Sequence, residues 1–313
     1  MDRQARIVLL GAAGLVGQNL AVHLREAGYS QLVGVDKHAG NLKILKDIGA
    51  CAETMLADLA RPGPWEEALL GADAVVMLQA QIGGLDRQAF EDNNIISTQR
   101  ALDALRRAGS PYLVHVSSSV VNSRATDPYA ETKRAQERLV AESGLAHCIL
   151  RPTLMFGWFD RKHLGWLARF MAKTPVFPIP GDGRYLRQPL YERDFCRIIE
   201  ACLARRPNGE AYDISGLEKI AYIDIIRAIK RTTRARALIQ PIPYGVFHAL
   251  LAAYGAFSKS PPFTTNQLKA LVIPESFPVI PWNAIFGVRP TPFAAALEET
   301  FLHPRYSKIE LEF

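Results

Sequence analysis

Along the first half of the chain, short apolar runs alternate with stretches whose apolar residues recur at helical spacing. Residues 6–10 (RIVLL) read as a short buried strand ending at a glycine, and 15–27 follow a helical period. Further runs at 32–35, 51–56, 74–78, 112–117 and 147–150 read as strands, with a helix over 129–143. Strands alternating with helices predict βαβ units, a parallel sheet and right-handed crossovers. After about residue 155 the pattern loosens, with prolines at 175, 178 and 180 and glycines at 181 and 183. Helices are expected there at 194–204, 222–232, 244–257 and 292–301. The expected fold class is α/β, a doubly wound parallel sheet with a smaller, mostly helical C-terminal lobe. Residues 1–157, with a returning segment near 188–215, are expected to form the sheet domain, and 158–313 the lobe that receives a substrate.

The 313 residues are 49% hydrophobic and 22% charged, an ordinary globular composition that excludes wholesale disorder. The length suits a sheet domain plus a smaller lobe. Four cysteines (Cys51, Cys148, Cys196, Cys202) form no CxxC pair and no metal-like spacing with histidine. They read as scattered reduced thiols, so no metal site and a cytoplasmic location are expected. The opening MDRQARIVLLGAAG has only a short apolar run that leads into a glycine turn, which reads as a buried strand rather than a signal peptide. No apolar run approaches the roughly 20 residues that span a bilayer. A net charge of +6 can attract phosphates, nucleic acid or acidic lipid. No nucleic-acid-binding signature accompanies it, so a phosphate-bearing small molecule, not nucleic acid, is the expected partner.

Gly11-Ala-Ala13-Gly14-Leu15-Val16-Gly17 sits after a predicted strand and before a predicted helix. Gly11 permits a tight turn, Gly14 lets backbone approach a pyrophosphate, and Gly17 lets helix pack on strand. The helix N-terminus offers N–H groups and partial positive charge to phosphates. This is the pattern of a Rossmann dinucleotide turn. Asp36, at the end of the second strand and 19 positions beyond Gly17, can accept hydrogen bonds from ribose hydroxyls and would repel a 2′-phosphate. NAD is therefore expected rather than NADP, although Lys37 and His38 follow directly. Farther on, Tyr129-Ala-Glu-Thr-Lys133 puts a phenol and an ammonium on one helix face, just after Asp127-Pro128, a helix start. A neighbouring ammonium lowers a phenol's pKa and tunes it for proton transfer. The preceding strand ends in Ser117-Ser118-Ser119, whose hydroxyls can hydrogen-bond a reacting oxygen.

The Gly-x-x-Gly-x-x-Gly spacing together with Tyr-x-x-x-Lys resembles the extended short-chain dehydrogenase/reductase family, which includes nucleotide-sugar epimerases and dehydratases. The resemblance covers most of the chain and is specific to about residue 195. It implies cofactor contacts at Asp58-Leu59, at Leu78-Gln79-Ala80, at Asn94, and at Pro152 and Thr153 in Leu150-Arg-Pro-Thr-Leu-Met-Phe-Gly157. It implies a catalytic set of Ser118 as substrate orienter, Tyr129 as acid/base, and Lys133 as pKa tuner and ribose ligand, with Ser119 beside them on the substrate. Gly181-Asp-Gly183-Arg-Tyr-Leu-Arg187 is similar to the family's segment whose arginine contacts a substrate diphosphate, which implies Arg187 in that role; pairing with Asp194 is the alternative. Two departures stand out. Ser97-Thr98 replaces the usual Gly-Thr, and Tyr129 follows Ser119 by only ten positions, where sugar-nucleotide epimerases have a longer loop.

The resemblance implies an NAD-dependent epimerase or dehydratase acting on a nucleotide sugar by hydride transfer, with a homodimer as the expected assembly. A ketone or alcohol reductase using NAD(P), and a non-catalytic nucleotide-binding assembly protein, are the alternatives. In the C-terminal third, the basic cluster 230–236 and the apolar stretch 244–257 read as a solvated turn followed by a core helix. Peripheral membrane contact is the rival reading. His23, His163 and His248 are isolated and read as structural.

Overall fold

Seven parallel strands carry the fold of the computed structural model, which describes residues 1–257, 265–272 and 278–312. Residues 258–264, 273–277 and 313, all within the expected lobe, lie outside the described residues. The strands are β1 (Ile7–Leu10), β2 (Leu32–Asp36), β3 (Glu53–Leu56), β4 (Ala74–Met77), β5 (Tyr112–Val116), β6 (His147–Pro152) and β7 (Glu210–Ile214). They lie in the order β3-β2-β1-β4-β5-β6-β7, and every neighbouring pair is parallel. The doubly wound α/β expectation is borne out.

The continuous apolar runs follow from helices covering both faces of the sheet. Side chains alternate along β1: Ile7 and Leu9 pack with Leu20, Leu24, Phe195 and Ile199, whereas Val8 and Leu10 pack with Trp65, Leu69, Leu102 and Leu105. From β1 the chain builds outward to β2 and β3, then returns to place β4 on the other side of β1. That reversal opens a crevice at the C-terminal ends of the strands, where α/β sheets bind ligands.

Helix α1 (Leu15–Glu26) follows β1, and α2 (Ala39–Asp47) follows β2. The helix Pro128–Ala141 starts as its sequence dictates: Asp127 accepts from the backbone N–H groups of Tyr129 and Ala130 at 3.0 and 3.1 Å, with Pro128 in the first turn.

The second lobe has its own core, including Phe156, Leu164, Met171, Phe177, Ile179, Ile225, Ile226 and Leu297. Its helices include Leu164–Lys173, Tyr222–Thr233 and Phe293–Leu302, and short strand pairs lie among them. Val176–Pro180 pairs with Leu238–Ile242, and Leu186–Arg187 with Ile220–Ala221. The prolines at 178 and 180 read as breakers, yet proline is tolerated in edge strands such as this one. The helix Tyr244–Phe257 forms where periodicity places it, but it is not a core helix. Tyr244, Val246, Leu250 and Tyr254 are exposed by 38, 52, 59 and 53%. Apolar composition sets no covering partner by itself, and among the described residues none of the lobe's core comes from this helix.

Candidate active site

Loops leaving the C-terminal ends of β1 to β6 converge on one cleft of about 470 Å³ at the reversal of strand order. The glycine turn forms one wall. Gly11 has φ +87°, and a Cβ there would stand 2.5 Å from the Gln79 backbone nitrogen. A Cβ on Gly17 would stand 2.4 Å from the Ala12 carbonyl oxygen, so helix and turn touch there. Gly14 differs. Its φ −76° and ψ 176° suit any residue, and a Cβ would meet only the Gly11 carbonyl oxygen at 3.6 Å. The fold therefore leaves room for a side chain at 14, and the turn is open on that side. No side chain caps the N-terminus of α1, so its first-turn N–H groups are available to an anion.

Asp36 ties the turn to β2. One carboxylate oxygen accepts from the Ala13 N–H and the other from the His38 N–H, both at 2.9 Å. Each oxygen keeps a second lone pair for a hydroxyl. Lys37 is held by the Asn93 side-chain oxygen, and His38 accepts from the Asn41 N–H at the start of α2. Asp58, Leu59, Leu78, Gln79, Ala80, Pro152 and Thr153 line the same cleft, with Ala13, Leu15 and Val16. Both polar atoms of the Gln79 amide and the Ser117 hydroxyl are buried with no partner among the described residues. An unmade buried hydrogen bond costs about 1–3 kcal/mol. These orphaned groups on a cleft wall, with the open Gly14 turn and the Asp36 carboxylate, fit a bound dinucleotide.

Three sequence-derived candidates do not line this cleft. Asn94, fully buried, accepts from the Gln81 N–H at 2.7 Å and donates to the Gln81 carbonyl and the Thr132 hydroxyl. It shapes the loop after β4. Lys133 is turned inward: its ammonium donates to the Val116 carbonyl at 3.2 Å and to the Gln136 side-chain oxygen. Gln136 lies three residues on, so a satisfied buried position competes with the cleft. Burial pulls the Lys133 pKa down to about 7, against the opposing pull of Glu137. Arg187, buried, donates to the Leu186 and Leu271 carbonyls and lies over the Tyr185 ring. The pairing of Leu186–Arg187 with Ile220–Ala221 directs it into the lobe. Nor does Arg187 pair with Asp194, which instead binds Arg197 and Thr291.

Tyr129, Ser118 and Ser119 do line the cleft. Ser118 stands at the start of the short helical turn Ser119–Asn122, and its hydroxyl accepts from the Val120 N–H. Burial raises the Tyr129 phenol above its ordinary value, Ser118 hydrogen bonding pulls it down, and Asp127 adds to the rise. The Lys133 ammonium, expected to tune this phenol, donates here to Val116 and Gln136. The short loop between serines and tyrosine is held by the Arg134 guanidinium, which donates to the carbonyls of Val121, Ser123 and Ala125, and by Asn122, which donates to Asp213.

Sequence reasoning missed the opposite wall, residues 159–163, all of which line the cleft. Phe159 has φ +66°. The Asp160 carboxylate accepts from the N–H groups of Lys162, His163 and Gly165 at 2.8–3.0 Å and so folds the segment. Arg161, Lys162 and His163 bring basic character to this wall; His163 is thus more than an isolated structural histidine. A basic triplet three residues beyond the Arg-Pro-Thr-Leu-Met-Phe-Gly stretch was the available signal. His23, by contrast, pairs with Glu200 at 2.9 Å, away from the cleft.

The family model for the NAD dependent epimerase/dehydratase family matches residues 7–215. Among curated proteins, the 2-alkyl-3-oxoalkanoate reductase of Stenotrophomonas maltophilia (strain K279a) is 26% identical, covering 91% of this chain and 94% of its own length. The dTDP-glucose 4,6-dehydratase of Xanthomonas campestris pv. campestris (strain B100) is 26% identical over 71% of this chain and 74% of its own. Among solved structures, the UDP-glucuronic acid 4-epimerase from Bacillus cereus in complex with NAD superposes with a TM-score of 0.67 at 23% identity. That match covers 85% of this chain and 99% of the epimerase.

Proposed function

The chain belongs to the NAD-dependent epimerase/dehydratase family, and on that premise we propose that it binds NAD in the cleft between β1 and β4 and acts on a nucleotide sugar, with Tyr129 as acid/base. The observation that carries this reading is the meeting of Tyr129 and Ser118 in the same cleft as the open Gly14 turn and Asp36. Bound NAD supplies a hydride acceptor and donor. Asp36 holds the adenosine ribose, and the α1 N-terminus receives the pyrophosphate. Ser118 orients the substrate oxygen. In the reductive direction the phenol of Tyr129, whose proton burial holds more tightly, gives it to an oxygen that becomes an alkoxide, a far stronger base than phenolate. In the reverse direction the Ser118 hydrogen bond favours the phenolate that takes the proton back. Arg161, Lys162 and His163 place basic side chains on the opposite wall, suited to a diphosphate.

Reduction of a ketone with net cofactor turnover is the second reading. Two observations favour it: Arg187 lies outside the cleft, and Arg134 fixes a short loop where sugar-nucleotide epimerases have a longer one. The relative that is a 2-alkyl-3-oxoalkanoate reductase points the same way. The test is to offer NAD-loaded protein UDP-glucose, UDP-glucuronic acid and dTDP-glucose, to offer the protein with added NADH or NADPH a 2-alkyl-3-oxoalkanoate, and to follow both product and cofactor balance. Conversion of a nucleotide sugar with no net change in NADH is the expected result. Conversion of the oxoalkanoate alone, with one reduced cofactor consumed per product, would replace the first reading with the second.

A further inference from the structure

The helix Tyr244–Phe257 is 14 residues long and contains no charged side chain. Val246, Leu250 and Tyr254 recur every four residues and so form one stripe, and all three are more than half exposed. The strand that feeds it, Leu238–Ile242, continues the apolar surface: Leu238 is 58% exposed, and its register partner Val176 is 41% exposed. A water-facing surface of this kind marks a place of contact.

The chain just before it carries the charge. Residues 225–257 include Arg227, Lys230, Arg231, Arg234 and Arg236 and no acidic residue, against a net charge of +6 for the whole protein. Arg231, Arg234 and Arg236 are exposed. Arg234 ends the helix Tyr222–Thr233 in a left-handed conformation, and Arg236 stands two residues before the exposed strand. A second copy of this chain meeting the helix through a two-fold contact would set the same patch against itself, and with it two identical basic stretches. A bilayer of acidic lipid answers both features, apolar side chains and positive charge. Among the described residues no helix is long and apolar enough to cross a membrane, so the contact is with the surface.

We propose that this face docks on the surface of an anionic lipid bilayer, with the stripe Val246–Leu250–Tyr254 in the interface and Arg231, Arg234 and Arg236 on the headgroups. The test is cosedimentation of the full chain with vesicles of phosphatidylcholine alone or with about a third phosphatidylglycerol, a composition in the range where basic residues feel the surface potential. The protein should sediment with the acidic vesicles and not with the neutral ones, and added salt should release it. Arg234→Ala with Arg236→Ala should weaken binding by about thirtyfold, at about 1 kcal/mol per basic residue near an anionic surface. Leu250→Asp, and independently Val246→Asp, should abolish it while melting temperature and NAD binding stay at the wild-type level, since both side chains face solvent. No sedimentation with acidic vesicles at low salt would overturn the proposal. So would wild-type vesicle binding by both aspartate variants. A dimer that Leu250→Asp splits, with no vesicle binding by wild type, would assign the face to a second copy instead.

Discussion

Replacing Gly14 with alanine separates what the fold needs from what the ligand needs. The backbone at Gly14 is already in a conformation open to alanine, and the added Cβ would meet only the Gly11 carbonyl oxygen at 3.6 Å. Loss of glycine at a helix N-cap costs up to about 1 kcal/mol. The reduced freedom of the unfolded chain returns about 0.4–1 kcal/mol. Stability should therefore change by less than about 1 kcal/mol, or roughly 2–4 °C in Tm for a domain of this size. The ligand meets a different situation. The methyl group stands where the pyrophosphate must approach the α1 N-terminus, and losing two charge-assisted hydrogen bonds at about 1.5 kcal/mol each weakens NAD by about a hundredfold. Gly17→Ala is the contrasting control, because its Cβ would lie 2.4–2.6 Å from three Ala12 backbone atoms that cannot move aside. That variant should lose stability by several kcal/mol, the scale of severe overpacking. Calorimetric titration with NAD and a thermal melt, run on both variants, give the two readouts. Wild-type NAD affinity in a well-folded Gly14→Ala protein would refute the placement of the pyrophosphate.

Other expectations follow from single residues. Asp36→Ala should narrow the preference for NAD over NADP by about 1.5–3 kcal/mol, the range for hydrogen bonds to a charged group; paired titrations check it, and comparable NADP affinity in wild type would contradict the role given to Asp36. Lys133 has a folded pKa of about 7 against an ordinary 10.5, so between those values the unfolded chain binds the proton that the folded chain has given up, and stability rises with pH. Lys133→Met should stabilise the protein near neutrality and lose that advantage by about pH 10, read by denaturant titration at each pH. Glu192 acts with the opposite sign. It is fully buried, neither carboxylate oxygen has a partner among the described residues, and burial pushes its pKa up to about 8 from 4.5. Its contribution is fully present below about 4.5 and is lost as pH rises through about 8, so Glu192→Gln should flatten that part of the profile and leave the range below about 4.5 unchanged.

The strands and the glycine-turn wall of the cleft were legible because short-range constraints write them. Ile7–Leu10 is apolar on both faces because helices cover both, and Gly11 and Gly17 are glycines because backbone atoms stand 2.4–2.5 Å from where a Cβ would be. What escaped was side-chain direction. Tyr129 and Lys133 share a helix face by spacing, yet a long flexible ammonium goes to the acceptors within reach, here Val116 and Gln136. Arg187 belongs to a loop whose similarity to the diphosphate segment is real in sequence, but a two-residue strand decides which way it points. The wall formed by 159–163 depends on three backbone hydrogen bonds to Asp160, which no periodicity reveals. The exposed helix Tyr244–Phe257 shows the same limit from the other side: an apolar stripe specifies that something covers it, not what.

The central claim is that Tyr129 moves the proton that accompanies hydride transfer in this cleft. The most direct measurement is rapid mixing of NAD-loaded protein with the substrate found by the screen above, following NADH absorbance in wild type and in Tyr129→Phe. The substitution keeps the ring and its packing and removes only the transferable proton. The account predicts that NADH forms at least about a hundredfold more slowly in Tyr129→Phe, the typical contribution of general acid–base catalysis, with NAD affinity unchanged. NADH formation at the wild-type rate in that variant would contradict it.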